Sequence, residues 1–396
     1  MIDGTQARLV ASVGRSELER LQASTVAVVG AGLLGGTVIH HLALLGVGMV
    51  VVDCGYVEPE NLGNQGFGVD LLGEWKSQAR ARQVAALNPE CALRAWNGPV
   101  EALGLAALAG VDLLIAGLDG RAARVRVNEI SQRLGIPFVD AAVDGSGERL
   151  LGTVTVYDPR SPEAACYLCR YRAEDLAAIA REGRGPGCPS WRREGLPQTP
   201  PTLVASPFGG VVGGLQALWA TRVLLGRPGE LANTRLLVDC DEVPRVRAVA
   251  LTRRRDCLVG HGRLDPLRRA SKGTVGELLE RAAADLGSPS EALILHDRPL
   301  VVGGECLHCG RATDLVRFAE VHDDEELQCG CGAPAPLVLT DRLSCERAER
   351  IASQRWADLG LPAADVVTAV AAGRQAHYVV GELPSPTSAK PGSPAR

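Results

Sequence analysis

Two kinds of residue on this chain can do chemistry: glycines spaced for phosphate, and cysteines spaced for metal or acyl transfer. The run VAVVGAGLLGG at Val26–Gly36 holds Gly30-x-Gly32-x-x-Gly35, and Asp53 ends the next apolar run. Glycines at this spacing let the backbone approach phosphate, the helix beyond them favours negative charge at its N-terminus, and an acid about 20 residues on can hold a ribose hydroxyl. Alone, this pattern points to a dinucleotide enzyme. Cys306-x-x-Cys309 followed by Cys329-x-Cys331 has zinc-ribbon form, with a tighter second knuckle than usual. Four thiolates make a closed, structural Zn²⁺ site, and Gly304, Gly310, Gly330 and Gly332 supply the flexible backbone that knuckles need. His308 and His322 are spare donors there. Cys166-x-x-Cys169 offers two corners of another zinc tetrahedron. Cys188 stands apart from these pairs, flanked by Arg184, Arg192 and Arg193, and nearby positive charge favours a nucleophilic thiolate. Cys54, Cys91 and Cys240 lie in or beside apolar runs and read as packed thiols.

The elements that must position these groups follow from periodicity. Short apolar runs at Thr25–Val29, Met49–Asp53, Leu93–Trp96, Leu113–Gly117 and Pro137–Ala142 alternate with helical patterns. Such alternation predicts an α/β fold with a doubly wound, Rossmann-like, mostly parallel sheet. RLLGTVTVY at Arg149–Tyr157 and two later strand-like runs predict an antiparallel extension. Residues 170–207 are charged, rich in Gly and Pro and poor in periodicity, as in a long mobile loop carrying Cys188. A composition shift near Gly262–Gly273 divides the chain into a region 1–262 and a small C-terminal α+β zinc-ribbon module over 263–380. That module is expected to contain helices at Val275–Leu286 and Cys345–Leu359, with strand-like runs at ALIL and YVV. Residues 381–396 are Pro/Ser-rich and read as a disordered tail.

Further motifs occur in a fixed order. Asn61-Leu62-Gly63-Asn64-Gln65, Lys76, Asn88-Pro89, Asp119 with Arg124 a turn beyond, Cys166-Tyr167-Leu168-Cys169 and the glycine-rich helix VVGGLQALWATRVLL follow one another along residues 8–261. Taken together they resemble the ThiF/MoeB and ubiquitin-activating-enzyme superfamily, which adenylates the C-terminal glycine of small β-grasp proteins. The resemblance implies ATP and Mg²⁺, with Asp119 binding the metal, Lys76 contacting phosphates and Asp53 taking the ribose. Asn61 and Gln65 would line the triphosphate pocket beside Gly30, Gly32 and Gly35. Arg8 would act across the interface of a homodimer. The family's second zinc pair falls on Cys257 and His261, implying a Cys₃His site with Cys166 and Cys169. In the thioester-forming branch a cysteine placed like Cys188 attacks the adenylated carboxylate. One residue departs from the pattern: Asn64 stands where the family has arginine, removing a positive charge that Arg80, Arg82 or a partner subunit would have to supply.

At 396 residues and 46% apolar composition the chain can bury a large core and an extra module. A net charge of −4 gives no support to a nucleic-acid partner. No apolar stretch is long enough to span a bilayer, and the polar, acidic N-terminal segment does not read as a secretory signal. Paired cysteines in an α/β enzyme favour metal and thiol chemistry, so the expected location is cytoplasmic. The leading expectation is ATP-dependent activation of a ubiquitin-like protein with pyrophosphate release, followed by a thioester on Cys188. The C-terminal module could recruit the carrier or a conjugating enzyme. A sulfur-carrier adenylyltransferase of thiamine or molybdopterin type is the closest alternative. A non-enzymatic zinc-ribbon adaptor on a degenerate nucleotide-binding domain is favoured only by Asn64. An NAD-dependent oxidoreductase leaves Lys76, Asp119 and the zinc knuckles without a role.

Overall fold

A computed structural model describes residues 6–381, apart from 145, 147, 181–202, 228, 230–231, 258, 270–272, 297, 314, 319–327, 334 and 336–337. Cys188 with its flanking arginines, His322 and the tail from 382 onward lie outside the described residues. Among the described residues no helix is long and apolar enough to cross a membrane. They form two compact units, one within 6–101 and 110–263, the other within 102–109 and 264–381.

In chain order the first unit holds α1 (Ala7–Val13), α2 (Arg15–Ala23), β1 (Thr25–Val29), α3 (Leu33–Leu45), β2 (Gly48–Asp53), α4 (Pro59–Leu62), α5 (Lys76–Leu87) and β3 (Leu93–Asn97). It continues with β4 (Leu113–Ala116), α6 (Arg121–Leu134), β5 (Phe138–Val143), β6 (Leu151–Tyr157), α7 (Ala173–Ala180), α8 (Ser206–Leu224), β7 (Thr234–Asp239) and β8 (Arg245–Ala250). One eight-stranded sheet runs β3-β2-β1-β4-β5-β6-β7-β8. Its first five strands are parallel and the rest antiparallel to their neighbours. The buried apolar runs of β1 and β4 suit parallel strands covered on both faces. Strand order reverses between β1 and β4, and such switch points open a ligand crevice at the carboxyl ends of the strands.

Helix α8 explains its own glycines and glutamine. A Cβ on Gly213 would sit 2.8 Å from that of Thr37, and one on Gly209 would sit 2.3 Å from a Leu33 methyl carbon, so α8 and α3 meet at a distance only glycine allows. Gln216 is fully buried and donates its amide to the carbonyls of Ala116 (2.7 Å) and Val139 (3.1 Å), tying β4 to β5.

The second unit contains β9 (Leu267–Arg269), α9 (Val275–Leu286), β10 (Ala292–Leu295), β11 (Leu300–Val301), β12 (Gly304–Glu305), β13 (Ala312–Thr313) and β14 (Arg317–Phe318). It ends with β15 (Leu339–Thr340), β16 (Arg342–Ser344), α10 (Cys345–Arg350), β17 (Asp365–Ala371) and β18 (Arg374–Val380). Its main sheet runs β16-β10-β17-β18-β9, beside a β14-β11-β15 sheet and the β12–β13 hairpin. Helix α9 opens with a capping box between Thr274 and Glu277. The helix expected over Cys345–Leu359 stops at Arg350. The carbonyls of Ala352 and Gln354 instead accept the amides of Gly276 and Val275 (2.9 and 3.0 Å). Those amides belong to the first turn of α9, where a helix has no partners of its own, so satisfying them breaks the following segment into turns.

Residues 102–109, which the sequence places inside the nucleotide-binding region, belong to this unit because of a buried charge. Arg298 and Asp365, 3% and 1% exposed, form an ion pair. Asp365 also accepts the amide of Leu105 (2.9 Å), and Arg298 donates to the Leu103 carbonyl (2.9 Å). A Cβ on Gly104 would lie 2.4 Å from the Ala363–Asp365 backbone, so only glycine fits. Asp365→Ala strands Arg298 in the interior and should destabilise this unit by about 3–5 kcal/mol. Urea denaturation should show an earlier transition; an unchanged midpoint would mean the pair is dispensable.

Candidate nucleotide site and metal centres

The crevice at the end of β1 is built by glycines. Gly30 has φ +92°, and a Cβ on it would lie 2.3 Å from the Gly117 carbonyl oxygen. Added to Gly35, a Cβ would meet the Gly30 oxygen at 1.8 Å, and on Gly117 it would meet the Gly35 nitrogen at 2.5 Å. The turn after β1 therefore rests directly on the turn after β4, which carries Asp119 at its exposed tip. Arg124 holds that second turn from below. Its Nε donates to Asp140 (2.8 Å), and its other nitrogens donate to the carbonyls of Leu118, Gly120 (3.2 Å) and Ala141 (3.1 Å).

Asp53 stands at the end of β2, beside the glycines. Its two oxygens accept the amides of Ala31 (2.6 Å) and Gly55 (2.7 Å), leaving further lone pairs for a hydroxyl. The Gly55 carbonyl accepts the backbone N–H of Lys76 (2.9 Å), which ties the first residue of α5 to the strand end carrying Asp53. Gln65 lies over the loop, its Oε1 3.6 Å from the position of a Gly32 Cβ and, among the described residues, buried without a hydrogen-bond partner. Asn61 is buried, and its Oδ1 accepts the Glu58 amide (2.9 Å) to cap α4. The chain thus brings Gly30, Gly32, Gly35, Asp53, Gln65, the start of α5 and the Asp119 turn to one sheet edge. An open glycine cradle and an unsatisfied Gln65 oxygen fit a nucleotide, and the Asp119 carboxylate offers the oxygen donor that Mg²⁺ takes. Arg8 is not among them: it is exposed on α1, a helix that buries none of its residues.

Four of the expected metal ligands converge in this unit. Cys166, Cys169, Cys257 and His261 place their donor atoms within 4.8 Å of one another. Separations are 3.6 Å for Cys166–Cys257, 3.8 Å for Cys166–Cys169 and 3.5 Å for Cys169 Sγ to His261 Nε2. Tetrahedral Zn²⁺ needs sulfur–sulfur edges of about 3.8 Å and sulfur–nitrogen edges of about 3.5 Å, so this donor set fits. The Cys166–Cys169 knuckle is held by Asn128 of α6, whose Oδ1 accepts the Tyr167 amide (2.9 Å). Hydrogen bonding with Cys166 and Cys257 lowers the pKa of the Cys169 thiol below the ordinary cysteine value. In the second unit Cys306, Cys309, Cys329 and Cys331 also lie within 4.8 Å of one another, with edges of 3.6 and 3.4 Å, and can hold a metal ion. Cys91 is a buried thiol donating to the Val47 carbonyl (3.2 Å). Cys54 corrects the sequence reading: it is disulfide-bonded and not a packed thiol.

Comparison with known proteins agrees with this geometry. The family model described as "ThiF family" matches residues 5–259. The chain belongs to the ThiF family. The SAMP-activating enzyme E1 of Haloferax volcanii is 32% identical over 228 residues, 57% of this chain and 76% of that protein. The sulfur carrier protein adenylyltransferase of Thermus thermophilus is 32% identical over 245 residues, 59% of this chain and 81% of that one. Escherichia coli MccB, solved with ATP, shares the fold at a TM-score of 0.51 and 18% identity, over 65% of this chain and 73% of that one.

Sequence reasoning misses two supports of the groups that the structure brings together here. Asn128 and Asp140 act from inside the protein, and nothing in their local pattern marks a buried polar residue. Two zinc ions per chain are the expected result of metal analysis on the purified protein. Cys257→Ser and Cys309→Ser should each remove one, and retention of both ions in either variant would overturn that site.

Proposed function

We propose that this chain activates the C-terminal carboxylate of a small ubiquitin-like or sulfur-carrier-like protein with ATP. The carrier's carboxylate oxygen attacks the α-phosphorus, the bond to the bridging oxygen breaks, and pyrophosphate leaves. The observation that carries this reading is the glycine contact that brings the Asp119 turn onto the phosphate loop, inside the span matched by the ThiF family. Asp53 is assigned to the ribose, and Gln65 and the Lys76 ammonium to the phosphates. Mg²⁺ at Asp119 would neutralise charge on the phosphates as pyrophosphate departs.

Acyl transfer to Cys188 is the second half of the proposal. Its thiolate attacks the carbonyl carbon of the acyl-adenylate, forms the thioester and expels AMP. Support comes from its arginine-rich surroundings in sequence and from the likeness to the Haloferax enzyme. The Thermus relative favours the alternative, in which the adenylated carrier receives sulfur and Cys188 serves that transfer or stays idle. Arg8, on a helix with no buried residue, is assigned to a second subunit's nucleotide site, making a homodimer the working form. Both four-donor clusters are assigned structural Zn²⁺, the second as a zinc ribbon in the C-terminal unit.

ATP–pyrophosphate exchange with a glycine-terminated carrier tests adenylation. Carrier-dependent exchange is expected, with Asp119→Ala lowering it at least ~100-fold, as loss of a transition-state charge stabiliser does. Cys188→Ala should keep exchange while losing a thiol-labile carrier adduct on non-reducing gels. Exchange that persists in Asp119→Ala would remove that residue from the mechanism, and an adduct surviving in Cys188→Ala would move the thioester elsewhere.

A further inference from the structure

We propose that Arg80 sets the phosphate-facing geometry of the glycine loop, a positioning role; this rests on the adenylation reading above. Arg80 lies on α5 and is 5% exposed. Its Nε donates to the Ala31 carbonyl (3.0 Å), and one terminal nitrogen donates to the carbonyls of Gly32 (3.1 Å) and Gln65 (2.6 Å). The other terminal nitrogen donates to Gln83 Oε1 (2.8 Å), and Gln83 in turn donates to the Gly66 carbonyl (2.8 Å). The guanidinium carbon rests 3.9 Å from the centre of the Phe67 ring. One cation therefore joins the glycine loop after β1 to the Asn61–Gln65 turn.

The consequence for the loop follows from peptide geometry. Across a trans peptide the carbonyl and the next N–H point in opposite directions. With the carbonyls of Ala31 and Gly32 held on Arg80, the amides of Gly32 and Leu33 face away from it, at the N-terminus of α3. Unsatisfied amides there are the groups that receive phosphate. Burial pushes the Arg80 pKa down to about 10, and the Asp53 carboxylate works against that fall, so the charge persists at neutral pH.

Neither neighbour can take this role. Arg82 is exposed and paired with Glu74 and, at 3.4 Å, Asp70. Asn64 is an amide whose Oδ1 is, among the described residues, buried without a hydrogen-bond partner. Gly36 leaves the guanidinium its space, since a Cβ there would fall 2.1 Å from an Arg80 terminal nitrogen.

Calorimetric titration of the full zinc-loaded chain with Mg·ATP tests the inference. Arg80→Met should weaken Mg·ATP binding at least ~10-fold, and Arg80→Lys, which keeps the charge without the fork, should fall between. Gly36→Ala supplies a second route, because it adds helix propensity while displacing the guanidinium, and it should weaken binding by a similar factor. Zinc content and carrier affinity should stay at wild-type values in both Arg80→Met and Gly36→Ala, a split that general unfolding would not produce. Wild-type binding with Gly36→Ala or Arg80→Met within twofold of it would overturn the role of Arg80 alone. Absence of Mg·ATP binding by the wild-type chain would overturn the adenylation reading and this inference with it.

Discussion

Backbone touches backbone where Gly30, Gly35 and Gly117 meet, and the candidate nucleotide site is arranged around that contact. A Cβ on any of the three would fall 1.8–2.5 Å from a backbone atom, and no rotamer change relieves a clash with backbone. The contact sets the turn after β1 against the turn after β4 and so fixes where Asp119 stands relative to the start of α3. Hydrogen bonds extend the arrangement outward: Asp53 to the Ala31 amide, and Gly55 to the backbone of Lys76. The first link joins the carboxyl ends of the neighbouring parallel strands β1 and β2, where a doubly wound sheet leaves a crevice, and the second ties helix α5 to the end of β2.

Buried arginines recur as fasteners in both units. Arg80, Arg124 and Arg298 are each at most 6% exposed, and each donates to main-chain carbonyl oxygen. A guanidinium suits this use because five donors on a rigid plane can hold several chain segments at once. Two of the three face a buried carboxylate, Asp140 or Asp365, which offsets the desolvation that an isolated interior charge would suffer. Exposed pairs such as Arg82–Glu74 and Arg350–Glu346 contribute little by comparison.

The two cysteine clusters do different structural work. The first closes the knuckle at Cys166–Cys169 onto the residues after β8, with two buried and two half-buried ligands. The second sits among strands of two residues each, β11 to β15, which have little core of their own. Small elements of that kind need a cross-link to hold a defined shape, and its exposed Cys309 and Cys331 mark it as the more accessible of the pair.

The sequence by itself determined the doubly wound sheet, its antiparallel extension and the residues gathered at its carboxyl edge. The sheet and the glycine turn rest on local signals, apolar runs of strand length and glycine spacing, while Gln65, Lys76 and Asp119 are placed there by the family resemblance. Six of the eight metal-ligand candidates follow from knuckle spacing, a short-range property, whereas Cys257 and His261 follow from the family resemblance. Only the tertiary structure decided what depends on partners far along the chain. Residues 102–109 join the C-terminal unit through Asp365 and Arg298, a pairing invisible to periodicity. The helix begun at Cys345 ends early because α9 needs its carbonyls. Cys54 is disulfide-bonded although its neighbours read as a buried strand. Arg80 turns inward to the glycine loop while Arg82, two residues on, turns to solvent, since a helical turn of 3.6 residues sends them to different faces. Which of two arginines meets a carbonyl is set by packing, and packing is not written in either residue.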